Sequence, residues 1–219
     1  MSPGPGAPPR RVARPGGEAQ RFEVNGRDLD FHWIAPRLAL GSAFPASAAR
    51  ALARTHGIAR VIDVRREACD DATLLQSHGI SLLHLPTDDC CAIAAPMIRE
   101  GVRFAVEGLD RGERVLVHCQ WGIGRSTLLA LCVLVARGDD PLAAICRAKD
   151  ARPRVSPSPE QLEAFVAFAQ RWRAEHGLPW EVPSVEVLGA VAWRHLRPDG
   201  EVSRESARAS ATRSPRTGP

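Results

Sequence analysis

Cys119 and Arg125, a thiol and a guanidinium six residues apart, lie in the segment Arg114-Val-Leu-Val-His-Cys-Gln-Trp-Gly-Ile-Gly-Arg-Ser-Thr127. An apolar run enters the loop between them and another leaves it, which reads as buried strand, short loop, buried helix. Backbone N–H groups from Gln120 to Arg125, through Trp121, Gly122, Ile123 and Gly124, then converge at the start of that helix. There the orphan donors of the first turn and the helix dipole favour a bound tetrahedral anion. Gly122 and Gly124 let the loop turn its amides inward without a Cβ clash. A thiol of ordinary pKa ~8.5 is mostly protonated at neutral pH, but a helix N-terminus with an adjacent Arg lowers it to ~3.5–7.5, so Cys119 is expected to be a thiolate nucleophile. Arg125 offers planar paired donors that match two phosphoryl oxygens and grip harder as the transition state flattens. Ser126 can donate its hydroxyl to the Cys119 sulfur and ease its departure from a phospho-cysteine.

The elements that must position these groups are legible around them. Arg60–Val64, Ile80–Leu85 and Arg114–His118 are short, β-branched or Leu-rich runs after Gly-containing turns and read as buried strands, with a weaker fourth at Leu38–Leu40. Pro96 opens a helix with Ile98, Val102, Ala105 and Leu109 on one face, and Gly112 ends it. Ser126 to Arg137 is apolar nearly all round and stops at Gly138, as a buried central helix should. Ser158-Pro-Glu-Gln161 is a capping box with Pro at the first helical position, followed by the stripe Leu162, Phe165, Val166, Ala169 and Trp172. Val185, Leu188, Val191 and Ala192 space a further helix laid against the domain, with Trp193 nearby. Strands alternating with helices predict an α/β fold with a central, mostly parallel β-sheet flanked by helices.

His118-Cys119-x₅-Arg125-Ser126 resembles the HCx₅R[S/T] signature of the cysteine-dependent protein tyrosine phosphatase superfamily. Leu38–Ser42, Val61–Arg65, Leu85–Asp89, Arg114–Val117 and Arg152–Pro157 resemble segments of its dual-specificity family, so the likeness runs from about Phe31 to Trp172. The resemblance implies a protein tyrosine phosphatase-like fold and a two-step hydrolysis of phosphomonoesters through a phospho-cysteine, with no metal and no cofactor. It also implies a general acid on a separate loop, an Asp roughly thirty residues before the nucleophile. Asp89 and Asp88 stand 30 and 31 residues before Cys119, and the Leu-Pro-x-Asp-Asp pattern favours Asp89. His118 is implied to support the loop through a hydrogen bond to backbone rather than to act as a base. Glu67 is implied to brace Arg125, a solvated carboxylate being the other reading. Trp121 either shapes the rim of the cradle or folds against the domain, and Arg152 and Arg154 either receive a second anionic group or are solvated. The cradle has no Lys of the kind common in relatives that prefer polyphosphorylated inositides, which leans towards a phosphoprotein, at phosphotyrosine and/or phosphoserine/threonine, or a small monoester. A phospholipid phosphatase of the same mechanism and a non-catalytic phosphate-binding protein remain the alternatives.

Composition sets the frame. At 219 residues with 44% hydrophobic and 25% charged, the chain holds one core. Its longest apolar run, Leu128–Ala136, is far short of the ~20 residues of a membrane span, and a soluble, cytoplasmic protein is expected. The net charge of +4 sits in the tails: Arg10, Arg11, Arg14 and Arg21 against Glu18, then Arg204, Arg208, Arg213 and Arg216 against Asp199, Glu201 and Glu205. The neutral body argues against a dedicated nucleic-acid surface. Residues 1–21 and 198–219 read as disordered Pro/Gly/Arg- and Ser/Arg/Pro-rich tails, 22–176 as the catalytic domain and 177–197 as a helical extension. The six cysteines are irregularly spaced, which disfavours a disulfide framework, and the adjacent Cys90–Cys91 pair is awkward for chelating one ion. Cys90 and Cys91 beside the expected acid read either as partners for oxidation with Cys119 or as ordinary packing. A Walker A loop fails because Cys119 stands where its first Gly belongs and Arg125 where its Lys belongs.

Overall fold

The computed structural model describes residues 22–24 and 27–194; the tails read above as disordered lie outside the described residues. Strands β1 (Phe22–Val24) and β2 (Arg27–Leu29) form an antiparallel ribbon. The main sheet is built from β3 (Phe31–Ala35), β4 (Leu38–Gly41), β5 (Ile58–Arg65), β6 (Ser81–Thr87) and β7 (Arg114–His118), in the order β3-β4-β7-β5-β6. β4, β7, β5 and β6 run parallel and β3 is antiparallel to β4. The sheet is therefore mostly parallel, as the alternation of strands and helices predicts. Its antiparallel edge was not foreseen, because Phe-His-Trp-Ile-Ala lacks the continuous apolar character of a doubly covered strand.

Helices α1 (Ala49–Arg54) and α2 (Ala72–Ser77) cover one face, while α3 (Ala95–Asp110), α4 (Arg125–Ala136), α5 (Pro141–Ala151), α6 (Pro159–His176) and α7 (Val185–Ala192) build up the other. The period of two decides which strand residues go where. Val115, Val117, Ile62 and Val64 enter the core shared with α4, and Leu116 and Val61 enter the core under α1, with Leu52 and Leu75. Alpha-helix α4 is apolar all round because it is enclosed by β7, α3, α5 and α6, and Leu128 to Val135 are all buried. The predicted boundaries hold to within two residues for β5, β6, β7 and α4. The capping box on α6 is formed in both directions, and Gly177 closes that helix in the left-handed conformation. Leu188 and Ala192 of α7 are buried in the same core as α4. Among the described residues no helix is long and apolar enough to cross a membrane.

One consequence matters for the site. Parallel β4, β5, β6 and β7 all end at the same edge, with Gly41 and Asp63 both in register with His118, and Arg65 with Thr87. The loops leaving these ends converge where ligands of open α/β sheets bind. The helical layer is packed closely enough to test. A Cβ at Gly101 of α3 would lie 2.8 Å from both methyls of Leu129 and 2.9 Å from Leu85. Both leucines are buried and cannot yield. Gly101→Val is expected to destabilise the fold by about 1–3 kcal/mol in urea unfolding, and a variant as stable as the parent would contradict this packing.

Candidate active site

β7 ends at His118, and Cys119 lies at its tip with 3% exposure, its Sγ accepting from the Gly122 N–H and the Ser126 hydroxyl, each at 3.2 Å. Burial pushes the thiol pKa up, but the Ser126 hydroxyl and the amides of Ser126, Trp121 and Ile123 outweigh it, and the net direction is down. The cradle is held from behind. The buried Arg152 guanidinium donates from Nε to the Gly122 carbonyl at 2.8 Å and from Nη2 to the Trp121 carbonyl at 3.0 Å. The Ile123 carbonyl accepts from the Ser156 N–H at 3.0 Å and the Thr127 hydroxyl at 2.8 Å. In a planar trans peptide the carbonyl and the following N–H point in opposite directions, so carbonyls drawn outward aim the next amides inward. Gly122 has φ +63°, and a Cβ there would lie 2.4 Å from the Gly41 carbonyl, which makes glycine obligatory. At Gly124 the requirement is different: a Cβ would meet the Gln161 side chain at 2.6 Å. Gln120 joins the cradle to β4 through its carbonyl, which accepts from the Ala43 N–H at 3.2 Å.

Arg125, the first residue of α4, is 1% exposed. Both of its terminal nitrogens donate to the Glu67 carboxylate at 2.7 Å, and Nη1 also reaches the Thr87 carbonyl at 2.9 Å. Glu67, after β5, thus pairs with Arg125 while its side chain stays 44% exposed. Its pKa is lowered to about 2, chiefly by the Arg125 hydrogen bonds, with burial opposing them. Arg125 Nε is buried without a partner among the described residues, a donor left for a ligand oxygen. The two candidate acids diverge. Asp89 lies 3.1 Å from Arg125 Nη2, whereas Asp88 pairs with the exposed Arg66 at 3.1 Å. Cys90, next to Asp89, has φ +62°, a strained conformation for a non-glycine residue. The capping residue of α6 and one side chain of its first turn fix it: the Ser158 hydroxyl donates to the Cys90 carbonyl at 2.8 Å and Gln161 Nε2 to the Cys91 carbonyl at 3.0 Å.

Beneath the cradle His118 departs from the expectation of a backbone partner. Its Nε2 meets the Asp70 carboxylate at 2.8 Å. Asp70 is tied to Arg65 Nη2 at 2.7 Å, and Arg65 forks onto buried Asp63 at 2.9 and 2.8 Å. Asp63, Asp70 and His118 are close enough to share a cation, as are Asp63, Cys69 and His84. The Arg65 guanidinium already supplies the positive charge to Asp63 in both groups, so neither is read as a metal centre. Arg152 also corrects the sequence reading: it is buried, its Nη1 and Nη2 donating to Asp30 at 2.7 and 2.8 Å, and the loop position alone gave no sign of that burial. Arg154 also pairs with Asp30, at 3.2 Å. Trp121 is 57% exposed and stands at the rim. Of the residues missed, Asp63 had a signal, a charge inside an apolar strand with Arg65 on the same face two residues on; Asp30 and Asp70 had none, and Gln161 was legible only as part of the capping box.

Residues 41–139 match the family model described as "Tc-R-P: Polymorphic toxin system, DSP-PTPase phosphatase". The phosphatidylglycerophosphate phosphatase PTPMT1 of Arabidopsis thaliana is 30% identical over 152 residues, 66% of this chain and 44% of the plant protein. This chain therefore spans less than half the length of that relative. The Homo sapiens "Phosphatidylglycerophosphatase and protein-tyrosine phosphatase 1" is 27% identical over 145 residues, 63% of this chain and 72% of its own. Among solved structures, PTPMT1 in complex with PI(5)P superposes with a TM-score of 0.63 at 25% identity, covering 67% of this chain and 98% of that one. Human DUSP28 superposes with a TM-score of 0.56 at 25% identity, covering 65% and 95%. Strand order, cradle and these likenesses converge on one family that this chain resembles, the dual-specificity phosphatases of the cysteine-dependent protein tyrosine phosphatase superfamily.

Proposed function

We propose that the protein is a metal-independent phosphomonoester hydrolase working through a phospho-cysteine intermediate. The observation that carries this reading is the buried Cys119 sulfur within 3.2 Å of both the Gly122 amide and the Ser126 hydroxyl, next to an Arg125 held by Glu67. The Cys119 thiolate attacks phosphorus and an S–P bond forms while the P–O bond to the leaving group breaks. Protonated Asp89 gives its proton to the departing oxygen. Cradle amides and Arg125 take the equatorial oxygens, where charge gathers in the transition state. Water then attacks phosphorus, Asp89 accepts its proton, and the S–P electron pair returns to sulfur under the Ser126 hydroxyl. His118 supports the loop and transfers no proton in this scheme.

The substrate class is read first as a phosphoprotein, at phosphotyrosine and/or phosphoserine/threonine, since the cradle carries no Lys for a second phosphate. A second reading, a glycerophospholipid phosphate, is favoured by the names of the plant and human relatives, which give a phosphatidylglycerophosphate as their substrate. The exposed Trp121 at the rim suits an apolar neighbour of the phosphate in either case. A panel of phosphopeptides and phosphatidylglycerophosphate vesicles separates the two.

Cys119→Ser is expected to lose turnover of an aryl phosphate by at least a factor on the order of 10³ while still binding tungstate, and near-normal hydrolysis would refute nucleophilic catalysis. Asp89→Asn is expected to slow alkyl phosphates by about 100-fold or more and good aryl leaving groups far less, with Asp88→Asn close to the parent; the reverse pattern would move the acid to Asp88. Glu67 supplies the pH test. Its folded pKa is depressed from 4.5 to about 2, so its stabilising contribution is complete above 4.5 and lost as pH falls through 2. Because the Glu67 side chain is 44% exposed, solvent screening keeps the effect small. The Tm difference between the parent and Glu67→Gln is expected to close over that window, and a difference undiminished at pH 2 would contradict the pairing.

A further inference from the structure

The segment from Arg152 to Ser158 touches both working loops at once. Arg152 holds the Trp121 and Gly122 carbonyls, the Ser156 N–H holds the Ile123 carbonyl, and the Ser158 hydroxyl holds the Cys90 carbonyl beside Asp89. Between Ser156 and Ser158 sits Pro157, which has no N–H to offer and whose carbonyl accepts from the Trp193 indole Nε1 at 2.9 Å. Trp193 is the residue that ends α7. Its ring lies across Gly189, where a Cβ would come within 2.5 Å of it, and Leu188 and Ala192 lock the helix into the core shared with α4. The indole is thereby aimed by packing as well as by its hydrogen bond.

We propose that α7 is a positioning element of the active site, acting through Trp193, which pins Pro157 and with it the segment that draws the cradle carbonyls outward and steadies the loop bearing Asp89. The inference rests on the phosphatase reading of the cradle. It goes beyond that reading by making residues near the end of the described chain, seventy-four positions after Cys119, part of the apparatus that orients the Gly122, Ile123 and Gly124 amides. Loosening Pro157 frees the Ile123 carbonyl held by Ser156 and, through Arg152, those of Trp121 and Gly122, so the Gly124, Gly122 and Ile123 amides lose the fixed direction that electrostatic preorganisation requires.

The discriminating variant is Trp193→Phe, which keeps a ring over Gly189 and removes only the N–H. It is expected to weaken tungstate binding by about threefold to tenfold, the worth of one hydrogen bond, and to lower kcat/KM in parallel. Gly189→Ala, which displaces the ring, is expected to move both in the same direction. Leu52→Ala, in the core on the opposite face of the sheet, is expected to lower Tm while leaving tungstate affinity and kcat/KM unchanged well below the transition. Parent-like tungstate affinity and kcat/KM in Trp193→Phe would overturn the proposal, as would Leu52→Ala reproducing the loss. A parent protein that neither binds tungstate nor turns over an aryl phosphate would overturn the phosphatase reading itself.

Discussion

A negatively charged sulfur enclosed by protein is the constraint around which this molecule is organised. Burial of Cys119 favours the neutral thiol, and that preference must be reversed by the groups around it. The compensation comes from dipoles: the Ser126 hydroxyl and amide at the first turn of α4, and the main-chain amides of Trp121 and Ile123 in the loop before it. Dipoles serve only while they are aimed, because a peptide that rotates presents its carbonyl where its neighbour's N–H had been. The same geometry that stabilises the thiolate would receive the equatorial oxygens of a phosphoryl group, so one set of fixed amides serves both nucleophile and transition state.

Much of the remaining architecture can be read as the means of keeping those amides fixed. β7 and α4 anchor the two ends of the loop within the core. Arg152 and Ser156 hold its carbonyls from behind, and Arg152 itself is neutralised by Asp30 at the start of the antiparallel edge. From below, His118 is tied to Asp70, and Asp70 through Arg65 to Asp63 in the middle of β5. A buried ionic network of this kind adds little net stability over an apolar core, but it has few alternative arrangements when every member is paired. Arg125 is treated in the same manner: Glu67 takes two of its nitrogens and leaves buried Nε towards the site.

The strand, loop and helix around Cys119 were legible in the sequence because each carries a local signal, an apolar β-branched run, glycines at the turn and an all-round apolar helix. The capping box of α6 was legible for the same reason, though its second task, gripping the Cys90 and Cys91 carbonyls, was not. Helix α5 went unread even though Asp140 and Pro141 form a readable start, with the Asp140 carboxylate capping the Ala143 N–H. Arg152 was misjudged because its partner Asp30 lies 122 positions away and no local pattern marks a loop arginine as buried. His118 was assigned a backbone partner by resemblance, while the actual one, Asp70, sits in a loop whose position depends on Arg65. Beyond α5 and the antiparallel edge, what escaped the sequence is contact between residues far apart in the chain, such as Arg152 with Asp30 and His118 with Asp70, which only three-dimensional proximity determines.

The central claim, that the Cys119 sulfur becomes covalently bonded to phosphorus during turnover, is tested most directly by quenching the parent protein in acid during steady-state hydrolysis of an aryl phosphate and mapping its peptides by mass spectrometry. The account predicts a phosphoryl adduct on the peptide containing Cys119 that disappears when substrate is exhausted. Sustained turnover with that peptide unmodified, or with the adduct on another side chain, would contradict it.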